Sequence, residues 1–261
     1  MQKTAIVIPC YNEEKRLDTR AFSDFAASNA NIHFIMVNDG STDGTWSLLT
    51  ELADKHDHFV PVNVENNSGK AEAVRQGFLK AFSMNFANIG YWDADLATPL
   101  DEINDFITLL NTPKKTMVFG SRIRLLSRSI ERKAVRHYLG RLFATVTSLI
   151  LKITIYDTQC GAKLFRNTRE LQLVFSKPFT TNWIFDVEII ARIVLLNRYY
   201  NLPSLELTAV EHPLKKWSDV PGSKLNAIDF LKAVKELATI GKFLHAPGWK
   251  ERCHKLAKNL Q

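Results

Sequence analysis

The sequence predicts an α/β protein with a mostly parallel sheet covered by helices on both faces. The first 120 residues alternate short β-rich runs with longer segments of helical spacing, a pattern typical of such sheets. Polar side chains directly follow several of these runs, at the edge where parallel sheets bind ligands. With 46% hydrophobic residues among 261, the chain can form one large core or two small ones.

The predicted strands are runs rich in β-branched and aromatic residues. They are residues 5–10, 33–39, 59–64, 88–95 and 116–121. Segments with helical spacing lie between them, at 14–28, 43–56, 69–83 and 99–110. The expected helix starts are Ser41 or Asp43, Ser68, and Thr98 followed by Pro99.

The pattern changes after residue 121. Apolar segments at 142–156 and 183–196 predict helices, and residues 205–212 are strand-like. From Asn226 the sequence is typical of an amphipathic helix that is broken at Pro247-Gly248. We therefore expect one domain over residues 1–225 and a C-terminal helical extension over residues 226–261.

Composition and cysteine spacing exclude several protein classes. The hydrophobic content excludes a disordered or collagen-like chain. Cys10, Cys160 and Cys253 have no paired spacing, which argues against a disulfide framework or a zinc cluster and favours a reducing compartment. The sequence has neither an apolar stretch of about 18 residues nor a leader-like start. We expect a cytoplasmic protein without a membrane span.

The net charge of +7 is concentrated in two segments. Residues 121–141 carry a net charge of +6, and residues 224–258 carry +5. Such regions suit nucleic acid, anionic lipid or a phosphorylated substrate, unless they are simply solvated faces. Tyr138 is the one aromatic residue among the cations of 121–141, which disfavours nucleic acid. Because the adjoining apolar segment is long enough to lie on a bilayer, we expect peripheral contact with an anionic membrane through residues 121–156.

Asp93 and Asp95 lie at the end of an apolar strand-like run. Alternate residues of an extended chain point the same way and lie about 6.6 Å apart, so the two carboxylates can converge on one cation. Mg²⁺ and Mn²⁺ bind carboxylate oxygens and complete their shells with water and substrate phosphates. The alternative is an Asp-rich turn that caps the helix beginning at Pro99.

Three further polar residues follow other runs. Asp39 either accepts a hydrogen bond from the ring N–H of uracil or guanine, or belongs to an ordinary turn. Gly69-Lys70 lacks the longer glycine loop and the following Ser or Thr of a Walker motif, although a helix start there can hold an anion. Arg122 supplies a guanidinium group suited to a diphosphate.

Acidic residues also occur in the second half of the chain. Asp157 lies in a polar loop that follows the apolar segment 142–156. Asp186 and Glu188 lie in the otherwise apolar run 183–196, about 200° apart around a helix, so at least one of them is expected to point inward. An inward acid is costly unless it is paired or functional.

Eight segments occur in the order found in family 2 glycosyltransferases. They are AIVIPCYNEEKRL, VNDGSTDGT, NNSGKAEAVRQGF, YWDADLATP, FGSR, DTQCGAKLF, WIFDVEI and W-x-x-x-x-G-S-K-L. Within that family the sequence most resembles dolichyl-phosphate β-glucosyltransferases and their bacterial polyprenyl-phosphate relatives, from residue 5 to about residue 225. Leu96 stands where this subgroup usually has glycine. The resemblance implies a GT-A fold, a nucleotide-sugar donor, a Mg²⁺ or Mn²⁺ ion and inversion at the anomeric carbon.

The resemblance also implies roles for individual residues. The nucleotide-sugar site would comprise Pro9, Tyr11, Glu13, Asp39, Lys70, Asp93, Arg122 and Lys224. Asp93 and Asp95 are the expected metal ligands, and Gly222, Ser223 and Lys224 resemble a loop that closes over the donor. Asp157 matches the acid proposed as catalytic base in relatives, with Asp186 as the second candidate. Residues 1–121 are expected to bind the donor and residues 122–225 the acceptor.

The function expected from the resemblance is transfer of a hexose, glucose from UDP-glucose, to polyprenyl or dolichyl phosphate at the cytoplasmic face of a membrane. The second pKa of a lipid phosphate is about 6, so the phosphate is mostly a dianion at neutral pH and hardly needs a base. Asp157 would then orient the acceptor. A saccharide hydroxyl, the alternative acceptor, does need a base. The remaining alternatives are a nucleic-acid-binding module, which leaves the acidic residues unexplained, and an inactive nucleotide-sugar sensor.

Overall fold

Strands and helices alternate along most of the chain. The computed structural model describes residues 2–131, 134–218 and 227–245, together with 247, 248, 251 and 254. Its strands are β1 (Thr4–Cys10), β2 (Ile32–Asp39), β3 (Phe59–Val64), β4 (Asn88–Trp92), β5 (Met117–Ser121), β6 (Ser129–Glu131), β7 (Ala162–Arg166), β8 (Ala209–Pro213) and β9 (Lys216–Ser218). Its helices are α1 (Thr19–Ser28), α2 (Thr45–Lys55), α3 (Lys70–Ser83), α4 (Glu102–Leu110), α5 (Ala134–Leu151), α6 (Arg169–Phe175), α7 (Phe185–Tyr199), α8 (Leu205–Thr208) and α9 (Ala227–His245).

A seven-stranded sheet forms the centre of the molecule, with the order β3-β2-β1-β4-β7-β5-β8. All neighbouring pairs are parallel except those of β7, which runs antiparallel to both β4 and β5. Strands β1 to β5 and β8 therefore run in one direction. Strands β6 and β9 form a small parallel pair of their own. The predicted α/β class with a mostly parallel sheet is confirmed.

Helices cover both faces of this sheet. Successive residues of a strand point to opposite faces, so Ala5 and Val7 pack into one buried cluster while Ile6 and Ile8 pack into the other. Helices α3, α6, α7 and α9 contribute to the first cluster, and α1, α2 and α4 contribute to the second. The sheet is thus buried on both faces, and the polar groups that follow its strands gather at its edges.

Several predicted boundaries differ from the structure. Helix α1 begins at Thr19 instead of residue 14, because the Asp18 side chain accepts a hydrogen bond from the Ala21 N–H and caps the helix there. Helices α2 and α3 follow Gly44 and Gly69, which offer no capping side chain, so the predicted caps at Ser41, Asp43 and Ser68 are wrong.

Differences also occur in the second half of the chain. The segment predicted as a strand at 205–212 starts with the helical turn α8, and β8 begins only at Ala209. Strand β7 was not predicted. Helix α5 begins at Ala134 and ends at Leu151, where Lys152 adopts a left-handed conformation with φ 56°. None of the helices in the described ranges is both long enough and apolar enough to cross a bilayer.

Candidate active site

The polar loops meet at the edge of the sheet where the parallel strands end. The ends of β1 to β5 and the segments that follow them carry Glu13, Asp39, Lys70, Asp93, Asp95 and Arg122. Because β7 runs the other way, it begins at this edge, with Ala162 paired to Trp92. Residues 157–161, which precede β7, therefore lie beside the loop after β4. The reversed strand is what brings Asp157 to the same edge as the donor-binding candidates.

An ion pair lies at the centre of this edge. The Lys70 Nζ contacts Asp93 Oδ1 at 2.5 Å, and both side chains are partly exposed. Burial lowers the pKa of Lys70, but the negative charges of Asp93, Asp186 and Asp95 outweigh that effect and raise it. Burial and the charge on Asp93 together raise the pKa of Asp95. The two carboxylates repel each other, and Lys70 supplies part of the compensating charge.

Gly161 is required by this arrangement. A Cβ atom on Gly161 would overlap the carboxylate of Asp93, so only glycine leaves room for that side chain. The backbone N–H of Asp93 donates to the carbonyl of Gly161 at 3.0 Å. Leu96, in the same turn, has a left-handed φ of 52°, which agrees with the glycine that the related subgroup has there. Both observations indicate that the turn after β4 is built to present its two aspartates.

The donor set fits a hard divalent cation. Burial and the charge on Asp93 disfavour the ionised form of Asp95, and a cation between the two carboxylates would offset both effects. Carboxylate oxygens suit Mg²⁺ or Mn²⁺. In the described ranges, a set of three candidate ligands occurs elsewhere, at Glu102, Asp105 and His212. Lys215 already pairs with Asp105 there. A metal held by Asp93 and Asp95 would therefore complete its shell with water and substrate oxygens.

The predicted nucleoside residues lie at the ends of β1 and β2 and in the loop after β1. Tyr11 is 45% exposed, and Pro9 is half-buried. Glu13 is buried and pairs with Arg16, and its backbone N–H donates to Thr45 Oγ1 at 2.8 Å. Burial raises the pKa of Glu13 despite the opposing effect of Arg16. These residues share one sheet edge with Asp93.

Asp39 holds a neighbouring loop in place. Its two carboxylate oxygens accept the backbone N–H groups of Ser68 and Gly69, at 2.8 and 2.9 Å. Gly40 has a left-handed φ of 64°, and a Cβ atom there would overlap the backbone of Asn67. The loop before α3 is thus fixed against the end of β2, which positions Lys70. Asp39 has a structural task in this loop in addition to its predicted contact with a base.

Arg122 and Asp157 form a bidentate pair. Arg122 Nε and Nη2 donate to the two oxygens of Asp157 at 2.6 and 2.8 Å, and the Arg122 backbone N–H adds a bond at 3.1 Å. The guanidinium also lies over the ring of Trp217, 5.3 Å from its centroid. Burial lowers the pKa of Arg122, but the charge and hydrogen bonds of Asp157 outweigh this and raise it.

Asp186 lies deeper, beneath these loops. It is 5% exposed, accepts a hydrogen bond from the Tyr91 hydroxyl and pairs with Lys163 Nζ at 2.6 Å. Burial raises its pKa to about 7. Glu188 is also buried and pairs with Arg192, so both acids of this run point inward where at least one was expected to. The negative charge of Asp186 acts on Lys70 from below the site, whereas Asp157 lies at the sheet edge itself.

Two charged residues near the site were not predicted from the sequence. Lys163 is fully buried in β7, and Glu211 lies in β8. The available signal was a charged residue inside each short, mostly apolar strand, Lys163 in AKLFR, which also ends in Arg166, and Glu211 in AVEHP. Lys224, together with the predicted closing loop at Gly222 and Ser223, lies outside the described residues.

Comparisons with known proteins identify relatives of this chain. The family model described as Glycosyl transferase family 2 matches residues 5–173. A dolichyl-phosphate beta-glucosyltransferase of Trichomonas vaginalis is 31% identical over 94% of this chain and 73% of its own. The dolichyl-phosphate beta-glucosyltransferase of Saccharomyces cerevisiae is 30% identical over 90% of this chain and 73% of its own.

Solved structures share the fold. Glucosyl-3-phosphoglycerate synthase from Mycobacterium tuberculosis in complex with uridine diphosphate has a TM-score of 0.61 at 19% identity, covering 92% of this chain and 80% of that chain. The mannosyltransferase PcManGT from Pyrobaculum calidifontis, in complex with GDP-Man and Mn²⁺, has a TM-score of 0.57 at 17% identity, covering 99% and 74%. The predicted GT-A architecture is confirmed. With the family model and the curated relatives spanning most of the sequence, the chain belongs to glycosyltransferase family 2 and is a nucleotide-sugar-dependent glycosyltransferase.

Proposed function

We propose that this chain transfers glucose from UDP-glucose to polyprenyl or dolichyl phosphate, with inversion, at the cytoplasmic face of a membrane. The main observation in support is that one sheet edge holds two charged pairs, Lys70 with Asp93 and Arg122 with Asp157. A diphosphate donor and a phosphate acceptor both need such groups. The names of the curated relatives support the same donor sugar and the same acceptor.

The donor would bind across the ends of β1, β2 and β4. Asp93 and Asp95 would hold a Mg²⁺ or Mn²⁺ ion, which neutralises charge on the departing diphosphate when it is bound. Lys70 has a flexible stem and a partly exposed ammonium group, so it can exchange Asp93 for a diphosphate oxygen. Pro9, Tyr11, Glu13 and Asp39 would hold the nucleoside, and Lys224 would close over the donor.

The acceptor phosphate would bind beside Arg122, whereas the resemblance assigns that residue to the donor diphosphate. An oxygen of the acceptor phosphate attacks the anomeric carbon of glucose as the bond from that carbon to the UDP oxygen breaks on the opposite face, which inverts the configuration. A phosphate dianion needs no base, so the chemistry depends on alignment of the two substrates. Asp157 is 7% exposed and holds Arg122 by two side-chain bonds. Its proposed task is to orient that guanidinium toward phosphate oxygens.

Membrane contact would come from the surface of α5 and the preceding loop. Leu142, Val146 and Leu149 recur on one face of α5 and are 55%, 40% and 73% exposed. Leu126, in the loop between β5 and β6, is 97% exposed. Residues 121–141 around them carry a net charge of +6. An exposed apolar face among cations suits peripheral binding to anionic lipid.

A transfer assay tests the proposal. The purified chain is incubated with UDP-glucose, Mn²⁺ or Mg²⁺, and a short polyprenyl phosphate, and glucosyl lipid is quantified. We expect metal-dependent transfer that the Asp95→Asn variant lacks. Absence of transfer to any lipid phosphate, with transfer to a saccharide instead, would reject the acceptor.

The Asp157→Asn variant separates the two acceptor chemistries. With a lipid phosphate we expect a loss of less than about 100-fold and the same loss at every pH, because no proton has to be removed from the nucleophile. A saccharide hydroxyl would need the base, so a loss of about 100-fold or more that steepens at low pH would favour that acceptor. The measurement is initial rate against pH for both proteins, at saturating donor.

A further inference from the structure

The loop that carries Asp157 is held by two charged side chains of opposite sign, the buried Lys163 and the partly buried Glu211. On one side, the Glu211 carboxylate accepts the backbone N–H of Tyr156 at 2.9 Å and that of Asp157 at 2.7 Å. On the other, Lys163 Nζ donates to the carbonyl oxygens of Thr158 at 3.0 Å and Cys160 at 2.7 Å. The two side chains come from β8 and β7, so they tie the loop to the rigid sheet.

Burial of the Lys163 side chain at this position costs free energy. Its side chain is 0% exposed, and burial lowers its pKa to about 7. An apolar residue could fill the same buried space without that cost. Asp186 contacts Lys163 Nζ at 2.6 Å and supplies a counter-charge. A buried ion pair holds two carbonyl groups of this loop. The conformation of the loop is therefore maintained at a cost in local stability.

Glu211 serves the opposite end of the loop. Its carboxylate accepts three contacts from two successive N–H groups, because both of its oxygens are acceptors. Asp157 depends on this contact directly, because its own backbone N–H is one of the donors. The side chain of Asp157 then points to Arg122.

We propose that Glu211 and Lys163 are positioning residues for glycosyl transfer, which fix residues 156–160 so that Asp157 aligns Arg122 for the acceptor phosphate. This inference rests on the proposed function. It assigns Asp186 the role of counter-ion to Lys163, which accounts for its burial. Neither Glu211 nor Lys163 touches the donor site at Asp93 and Lys70, so their loss should affect turnover and spare donor binding.

The Glu211→Gln variant tests one end of the loop. The amide keeps one acceptor oxygen and turns an N–H₂ group toward the backbone donors, so the contacts with Tyr156 and Asp157 are weakened. We expect kcat to fall about 10- to 100-fold, with the KM for UDP-glucose and the affinity for Mn²⁺–UDP changed less than about twofold. Glu206→Gln, an exposed residue of α8, is the matched control with unchanged kcat.

Hydrogen exchange provides a readout that does not depend on transfer. In Glu211→Gln we expect amide exchange at residues 156 and 157 to accelerate at least about tenfold, while β1 and α3 keep the wild-type rates. Unchanged exchange would refute the loop contacts. Faster exchange with unchanged kcat would refute the positioning role. If the wild-type chain transfers no glucose, the proposed function fails, and the exchange result still decides whether Glu211 holds the loop.

The double variant Lys163→Met, Asp186→Asn tests the other end without leaving an unpaired buried charge. It removes the donors to Thr158 and Cys160 and keeps an acceptor for the Tyr91 hydroxyl. We expect a fall in kcat of about tenfold or more with donor affinity retained. An equal fall in donor affinity, measured by calorimetry with Mn²⁺ and UDP, would assign the pair to general stability and overturn its positioning role.

Discussion

Lys70 and a divalent cation are expected to compete for the carboxylate of Asp93. The ammonium group already contacts Asp93 Oδ1 at 2.5 Å, and a nucleotide diphosphate offers it alternative oxygens. A metal ion that binds without nucleotide has to displace Lys70 from Asp93 and leaves the ammonium group without a partner. Bound nucleotide supplies that partner. Metal and nucleotide should therefore bind cooperatively, and Lys70 should carry part of the coupling.

The Lys70→Met variant tests this competition. Without nucleotide we expect Mn²⁺ to bind about fivefold more tightly than to the wild type, since a partly exposed ion pair contributes ~1 kcal/mol or less. With UDP present we expect weaker binding, because the diphosphate loses a cationic partner. Electron paramagnetic resonance titration of free Mn²⁺ measures both affinities. The control is Lys80→Met, an exposed lysine of the same helix, and equal Mn²⁺ affinity in all three proteins would contradict the competition.

Most acidic site candidates were readable from the sequence, and their partners were not. Asp93 and Asp95 stand directly after an apolar run, so strand periodicity alone predicts that they lie at the sheet edge. Lys163 and Glu211 contact backbone groups of residues 156–160, and no sequence pattern specifies which backbone groups the fold will bring near a buried charge. A charged residue inside an otherwise apolar strand indicates such a contact.

At the level of elements, α9 is joined to the core by more than apolar packing. Leu237, Ile240 and Leu244 lie in the buried cluster on one face of the sheet. Glu236, on the same helix, accepts the backbone N–H groups of Asn182, Trp183 and Ile184, which precede α7. A carboxylate from one helix thus caps the N-terminus of another, where the helix dipole favours a negative charge.

The Glu236→Gln variant should loosen this junction. We expect the free energy of unfolding to fall by about 1 kcal/mol, the usual range for loss of an N-terminal capping carboxylate. Urea denaturation followed by tryptophan fluorescence measures the change, since Trp183 lies in the capped segment. Glu51→Gln, which removes an exposed acid of α2, is the control with no measurable change. A Glu236→Gln protein as stable as the wild type would show that apolar packing alone holds α9.

The sequence predicted the first five strands and four helices better than those that follow. Early strands are apolar runs between turn residues, whereas β7 is a five-residue strand that contains Lys163 and Arg166. Its direction depends on where α5 and the following loop return the chain, which is a property of tertiary packing. The start of α1 was misplaced for a local reason, since Asp18 is a stronger cap than the residues before it.

At the scale of the whole molecule, the exposed apolar face of α5 follows a strongly cationic stretch of the sequence. The cationic segment 121–141 adjoins the exposed residues of α5, and Arg141 stacks over Tyr156 at 3.7 Å from its ring centroid. Tyr156 is next to Asp157, so this surface leads to the site of the expected acceptor. A lipid phosphate held in a bilayer could reach Arg122 from that side without leaving the membrane surface.

The double variant Leu142→Asp, Leu149→Asp should weaken membrane binding. Two exposed leucines lose the gain from burial in lipid, and the added acids are repelled by anionic headgroups. We expect the affinity for phosphatidylglycerol-containing vesicles to fall about tenfold or more in sedimentation assays. Leu207→Asp is the control, because α8 precedes the start of β8, at the opposite edge of the sheet from the site. Equal vesicle binding by the wild type and the double variant would exclude this face as the membrane contact.

Strand β7 belongs to the later part of the chain but lies between β4 and β5, which are made earlier. During synthesis, the edges of β4 and β5 that pair with β7 remain unpaired until residue 166 has left the ribosome. Unpaired strand edges are templates for wrong pairing with other chains. The nascent protein is therefore exposed to aggregation over the interval from β5 to β7, and helper proteins that shield open sheet edges would be needed most in that interval.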